Sequence, residues 1–233
     1  MNLIYTLHDN PPMRRQYDLV CFDMDGTLTK MRSSWKWIHD CLGVDSEPNY
    51  QAFLRQEIDE DEFMRRDIAL WTGKRPGFSE GDLIHCFQDM PLIDGIQETV
   101  ASLQECGMKC VIISGGIDLA AKMLMNEFGF DDCVADHVVT NPDGTLAGYG
   151  EKIVDLADKG VWVTEYQKRY GTTPGRTVSI GNSFTDIPMF RRSGRSIAFN
   201  PMDEYTSGAA TDVVKSDNIA DVLDLLLPGD GGN

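Results

Sequence analysis

Two kinds of apolar pattern alternate along this chain. Short blocks dense in β-branched and aromatic residues, at 17–22, 109–113, 134–139, 177–180 and 196–199, run into Asp, Ser, Gly or Asn. Such blocks predict strands with both faces buried, as in a mainly parallel sheet. Between them, apolar residues recur three and four apart among charged ones at 94–107, 117–128, 160–170 and 219–227. That spacing predicts helices with one buried face, and the alternation predicts an α/β fold.

One region breaks the alternation. Residues 32–90 contain helical periodicity at 33–42, 50–71 and 79–90, with Ser33 or Ser34 and Ser79 placed as caps and Gly43 as a stop. No strand block lies among them, so they predict a helical insert directly after the first strand. An insert there sits over the C-terminal edge of the sheet, where α/β proteins bind ligands, and can serve as a water-excluding lid. Trp35, Trp37 and Trp71 are expected to pack in its core. The chain thus divides into an N-terminal extension, 1–16, an α/β core, 17–31 with 91–233, and a helical cap, 32–90. The extension, with Pro11-Pro12, is expected along the surface, and the Pro/Gly-rich end beyond Leu227 is expected to fray. Asn141-Pro142-Asp143-Gly144 predicts the turn of a hairpin joining 138–140 to 145–147.

Charge and cysteine content narrow the function classes. Over 233 residues the formal net charge is -16, which argues against a nucleic-acid surface, since that requires clustered Lys and Arg. No secretory signal or membrane-length apolar segment stands out. The six cysteines, Cys21, Cys41, Cys86, Cys106, Cys110 and Cys133, form no CxxC pair, and the expectation is reduced, buried thiols in a cytoplasmic protein. His8, His39, His85 and His137 show no metal-ligand spacing and are expected at the surface or satisfied in the core.

The chemistry concentrates at strand ends. The block 17–22 delivers Asp23 and Asp25, two residues apart, so an extended backbone would project both carboxylates to one side, where they need a cation or a shared proton. This suits phosphoryl transfer: one carboxylate attacks phosphorus, the other handles the leaving-group proton, and a hard divalent cation offsets the charge. Gly26 permits a tight turn, and Thr27 offers a hydroxyl and an N–H to phosphate. Ser114-Gly115-Gly116, between a strand and a helix, presents Oγ and N–H groups to an anion. Lys159 is a candidate to offset phosphate charge, although a lysine near a helix start is ordinarily solvent-exposed. Asn182 and Asp186 bracket another strand-to-helix turn, from which both could face a cation held by Asp23; a local role, capping and helix-dipole compensation, is the alternative. Asp143-Gly144-Thr145-Leu146 echoes the first motif but lacks its first carboxylate and apolar block, and reads as a turn.

Asp23-Met24-Asp25-Gly26-Thr27-Leu28-Thr29, Ile112-Ile113-Ser114-Gly115-Gly116, Lys159-Gly160 and Gly181-Asn182-Ser183-Phe184-Thr185-Asp186 occur in the order of the four motifs of the haloacid dehalogenase-like superfamily. The chain resembles its phosphoserine phosphatase-like branch from about Tyr17 to Leu227. The resemblance implies a Rossmann-like, doubly wound, mainly parallel sheet with the cap after the first strand. It also implies a Mg²⁺-dependent phosphomonoester hydrolase working on a small phosphorylated metabolite. Asp23 would be the nucleophile that carries the phosphoryl group, and Asp25 the acid and then the base. Thr27, Ser114, Gly115 and Lys159 would hold the phosphate; Asp23, Asp25 through its carbonyl, Asn182 and Asp186 would hold Mg²⁺. A phosphotransferase or mutase using the same intermediate, and a catalytically silent metabolite-binding module, are the alternatives.

Two positions depart from that branch. Asn182 stands where an aspartate ligand is usual and removes one negative charge from the cation site. Arg32 stands where a glutamate usually holds the substrate's amino group, and Asp67 falls near the position of a cap arginine, with Arg65 and Arg66 beside it. Arg32, Arg65 and Arg66 are therefore candidates for substrate selection, and Arg32 would favour an anionic over an ammonium-bearing end.

Overall fold

The structure, a computed structural model, describes residues 16–227; the expectations for the N-terminal extension before that point and for the tail beyond it lie outside the described residues. The first strand, β1 (Leu19–Phe22), is followed by four helices, α1 (Ser34–Leu42), α2 (Glu47–Leu54), α3 (Glu60–Lys74) and α4 (Glu80–Phe87). The α/β pattern then resumes with α5 (Ile96–Glu105), β2 (Lys109–Ile117), α6 (Asp118–Phe128), β3 (Asp132–Thr140) and β4 (Leu146–Glu151). It ends with α7 (Gly160–Tyr170), β5 (Thr177–Gly181), α8 (Ile187–Phe190), β6 (Arg195–Phe199), α9 (Glu204–Ala209), β7 (Asp212–Val214) and α10 (Leu223–Leu226).

The strands form one sheet in the order β4-β3-β2-β1-β5-β6-β7, with only the β3–β4 pair antiparallel. All four residues of β1 are buried. Val20 and Phe22 face a large core shared with the cap, α5 and α6, while Leu19 and Cys21 face a smaller core containing Val163, Tyr166 and Met189. Burial on both sides accounts for the uninterrupted apolar block. The chain builds outward from β1 through β2 and β3, then returns to lay β5, β6 and β7 on the other side. The β1–β5 junction is consequently a switch point, with its crevice at the C-terminal strand ends.

The cap is seated on this edge. The chain enters and leaves it side by side, with Lys30 N–H donating to the Pro91 carbonyl at 2.7 Å and Ile93 N–H to Leu28 at 2.9 Å. Its far side docks on the β3–β4 hairpin, where the Leu146 and Glu80 amides donate to the Phe78 and Gly144 carbonyls. Ser33 caps α1, accepting from Lys36 N–H, and Gly43 ends it at φ 61°, as the sequence predicts. Ser79 and Asp82 form a capping box on α4.

The structure differs from the sequence expectation in several places. The helix predicted over 50–71 is two helices, because the chain turns at Gln56 (φ 58°) and Asp59 caps a new start by accepting from Glu62 N–H at 2.9 Å. Asp59, followed by Glu60, Asp61 and Glu62, carried that start signal. The strand expected to end at Ile113 continues through Ser114-Gly115-Gly116 to Ile117, with a register shift against β3. Helix α9, capped by Asp203, was not anticipated. The reduced state expected for all cysteines fails for two: Cys41 of α1 and Cys86 of α4 form a disulfide, their Cα atoms 6.2 Å apart. Only helix packing brings these positions together, 45 residues apart in sequence. Cys21, Cys106, Cys110 and Cys133 are free, and burial pushes the Cys21 and Cys110 thiols up, away from thiolate reactivity.

Candidate active site

Backbone geometry at the end of β1 sets the first carboxylate. Asp23 continues the strand, its N–H donating to Ile180 of β5 at 2.9 Å, after which the chain folds over Met24, whose carbonyl accepts from the amides of Thr27, Leu28 and Thr29. Gly26 makes this turn at φ 85°, and a Cβ there would lie 2.0 Å from Asn182 Nδ2. No other residue offers both that φ and that clearance. The turn therefore lies against the fourth motif.

Lys159 lies between two carboxylates. Its Nζ is 2.6 Å from Asp23 Oδ1 and 2.6 Å from Asp186 Oδ1, and the side chain is only 1% exposed. The solvent-exposed alternative for this lysine is thus overturned: although it stands at the start of α7, the strand ends enclose it. Burial by itself would lower the Lys159 pKa, but the Asp186 and Asp23 charges outweigh it and raise it, so the ammonium is retained. Asp186 caps locally, as one reading of the sequence has it, and also reaches Lys159. Its Oδ2 accepts from the amides of Asn182 and Ser183, completing a capping box with Ser183, while its Oδ1 holds Lys159.

Asp25 is held differently. Its Oδ2 accepts from both the amide (2.8 Å) and the hydroxyl (2.9 Å) of Ser34, whereas its Oδ1 is buried without a hydrogen-bond partner. Burial pushes Asp25 up to about 6 against the opposing effect of the Ser34 bonds, and pushes Asp23 up to about 7, with the Asp186 charge adding to it and Lys159 opposing it. Two carboxyl groups poised near neutrality beside a retained ammonium suit nucleophilic and acid–base chemistry.

The phosphate-binding candidates close around this pair. Ser114 is buried, and its Oγ accepts from Gly116 N–H at 2.9 Å. A Cβ on Gly116 would meet Ser34 Oγ at 2.4 Å and Asp25 Oδ2 at 2.7 Å, and one on Gly115 would meet Leu156 at 2.4 Å, so the glycines let the second motif reach the first. Trp35 of the cap donates its Nε1–H to the Gly115 carbonyl at 3.3 Å. Thr27 turns its hydroxyl to Asp23 Oδ2 at 3.2 Å. The structure thus brings Asp23, Asp25, Thr27, Ser114, Gly115, Lys159, Asn182 and Asp186 to one sheet edge.

The three substrate-selection candidates behave otherwise. Arg32 is exposed, two residues before Ser34. Arg65 and Arg66 both pair with Glu62 on the exposed side of α3. Asp67 is buried and bonded to His39 and Asn49. Sequence reading missed Ser34 as a partner of Asp25; its position at a helix start, where serine is expected for capping, masked it. Surface cavities of about 560 Å³ lie elsewhere, one lined by Phe53 to Asp59 and another by Phe184, Pro188 and Tyr205 among others. Neither touches the carboxylate cluster.

The donor chemistry fits a hard divalent cation. Ionised Asp23, Asp25 and Asp186 exceed Lys159 by two negative charges in a buried space, and the expected ligands, carboxylate, carbonyl and amide oxygens, are hard. Among the described residues no three Asp, Glu, His or Cys side chains form a group that could hold a metal ion.

The family model for haloacid dehalogenase-like hydrolases matches residues 20–191. The chain belongs to this family. Within it, the chain is phosphoserine phosphatase-like. It is 27% identical over 219 residues to a phosphoserine phosphatase of Archaeoglobus fulgidus, covering 93% of this chain and 62% of that protein. It is 28% identical over 225 residues to one of Idiomarina loihiensis, covering 92% and 96%. A structure of a phospho-aspartyl intermediate analogue of phosphoserine phosphatase has a TM-score of 0.74 at 22% identity, covering 91% of this chain and 100% of the other, and shares the fold. Among the described residues no helix is long and apolar enough to cross a membrane.

Proposed function

We propose that this protein is a Mg²⁺-dependent phosphomonoester hydrolase of small phosphorylated metabolites, acting through an aspartyl-phosphate intermediate. The observation that carries this reading is Lys159 Nζ held 2.6 Å from both Asp23 and Asp186 next to Asp25, whose Oδ1 lacks a partner. Asp23 attacks phosphorus as the bond to the leaving oxygen breaks, and Asp25 gives that oxygen a proton. Asp25 then takes a proton from water as the water attacks phosphorus, the acyl-phosphate bond breaks, and Asp23 is regenerated. Ser114, the Gly115 amide, Thr27 and Lys159 hold the phosphoryl oxygens. Asp23, the Asp25 carbonyl, Asn182 and Asp186 would hold Mg²⁺, which would supply charge neutralisation. The neutral amide of Asn182 would either weaken that binding or leave Asp186 a larger share of it.

The substrate carries a second anionic or hydroxylated end. Arg32 supports this, being exposed two residues before Ser34, which contacts Asp25; Arg65 and Arg66, paired with Glu62 on the exposed side of α3, add nothing to it. The test is turnover of a panel of phosphomonoesters with Mg²⁺, including phosphoserine, sugar phosphates and phosphoglycerates, beside the same panel with Asp23→Asn. Turnover confined to the unsubstituted enzyme supports the nucleophile. Preference for phosphoserine would overturn the substrate argument, and phosphate transferred to an added alcohol would redirect the reading to a phosphotransferase.

A further inference from the structure

The two oxygens of Asp25 are not equivalent, and one residue of the cap makes them so. Ser34, the first residue of α1 and fully buried, gives Oδ2 two hydrogen bonds, 2.8 Å from its amide and 2.9 Å from its hydroxyl. The direction of the hydroxyl is itself fixed. Ser34 Oγ accepts the Ile117 amide of β2 at 2.9 Å, which occupies a lone pair and leaves the hydroxyl hydrogen for Asp25. The amide of residue 117 thus leads through Ser34 to the carboxylate. Gly116 leaves room for this relay, since a Cβ there would strike both Ser34 Oγ and Asp25 Oδ2.

With two donors on Oδ2, a proton bound to the carboxyl belongs on Oδ1, which is buried and has no partner. We infer that Ser34 is a positioning residue for the reaction: it clamps Oδ2 so that Oδ1 carries the transferable proton toward the leaving-group oxygen. This rests on the phosphomonoesterase reading above. It also ties acid catalysis to a seated cap, because Ser34 belongs to the cap while its partners, Asp25 and Ile117, belong to the core.

The test exploits the leaving group. p-Nitrophenolate departs without a proton and an alkoxide does not, so loss of acid positioning discriminates between p-nitrophenyl phosphate and glycerol phosphate, whereas general loosening of the site does not. The measured quantity is kcat/KM, which reports events through formation of the phosphoenzyme. For Ser34→Ala the expected loss is about 100-fold with glycerol phosphate and less than about threefold with p-nitrophenyl phosphate, at the lower end of general-acid contributions. Ser34→Thr, which keeps the hydroxyl, restores most of the difference, and in an Asp25→Asn background Ser34→Ala produces no further discrimination. Should Ser34→Ala fail to fold, Ser34→Cys carries the same comparison. Equal losses with both esters, or discrimination that persists in the Asp25→Asn background, would overturn the assignment of Ser34 alone. An enzyme that cleaves neither ester, or an Asp23→Asn variant that still cleaves them, would overturn the phosphomonoesterase reading and this inference with it.

Discussion

Two buried polar clusters among the described residues are built on opposite terms. In the cap, Trp71 donates its indole N–H to His39 Nδ1 at 2.7 Å, so the proton of the ring sits on Nε2, which donates to Asp67 Oδ2 at 3.0 Å; Asn49 donates to Asp67 Oδ1 at 2.8 Å. Both carboxylate oxygens are satisfied, and Trp35 stacks on Trp71 over the network. At the sheet edge, by contrast, Asp23 and Asp186 share one ammonium, Asp23 and Asp25 are pushed up toward neutrality, and Asp25 keeps an oxygen without a partner. A satisfied network holds a fold together. A cluster with like charges in a buried space and an oxygen lacking a partner costs stability.

That contrast yields opposite expectations for matched substitutions. The largest effect falls on activity: Asp23→Asn lowers turnover by about 10⁴-fold or more, while the metal-free melting temperature holds or rises because a surplus buried charge is gone. Steady-state assays with calorimetry check both halves, and a large drop in stability would break the comparison. Next comes Asp67→Ala, which leaves His39 and Asn49 without their acceptor and lowers unfolding free energy by about 3–5 kcal/mol, from two buried bonds to a charged group. Chemical denaturation measures it.

The cap's covalent tie ranks close behind. Replacing Cys41 and Cys86 by serine lowers stability by about 2–4 kcal/mol, and alkylation of the denatured, unreduced protein labels four cysteines against six after reduction, which is the direct check on the pairing. The smallest effect concerns a buried carboxylate outside both clusters. Asp136 accepts from the amides of Ile153 and Val154 through one oxygen, yet burial pushes it up to about 6. A carboxyl whose pKa is higher folded than unfolded holds its proton more tightly in the native state, so its contribution falls as pH rises from about 4 to about 6. Asp136→Asn removes that slope, so the substituted protein gains up to about 3 kcal/mol relative to the original across the window. Parallel pH–stability curves for the two would refute it.

The same contrast shows what could be read without the structure. The strand blocks follow from burial on both faces, which excludes polar residues, and the motif order placed Asp23, Ser114, Lys159 and Asn182 because short-range chemistry at strand ends leaves a local signature. The four-residue spacing of Asn182 and Asp186 sufficed to pair them. Where an assignment depended on which distant side chains meet, the sequence was silent or ambiguous. His39 and Asp67 are 28 residues apart, and Cys41 and Cys86 are 45 apart. Lys159 resembled any exposed lysine near a helix start, and Ser34 any capping serine. Their partners arrive through the parallel crossovers and the seating of the cap, 136 residues away for Lys159 with Asp23 and 83 for Ile117 with Ser34. Residue type and local spacing therefore determined most of the elements and which polar residues stand at the strand ends. Tertiary structure decided which charges share a buried space, since desolvation and hydrogen bonding act over ångströms in space and take no account of distance along the chain.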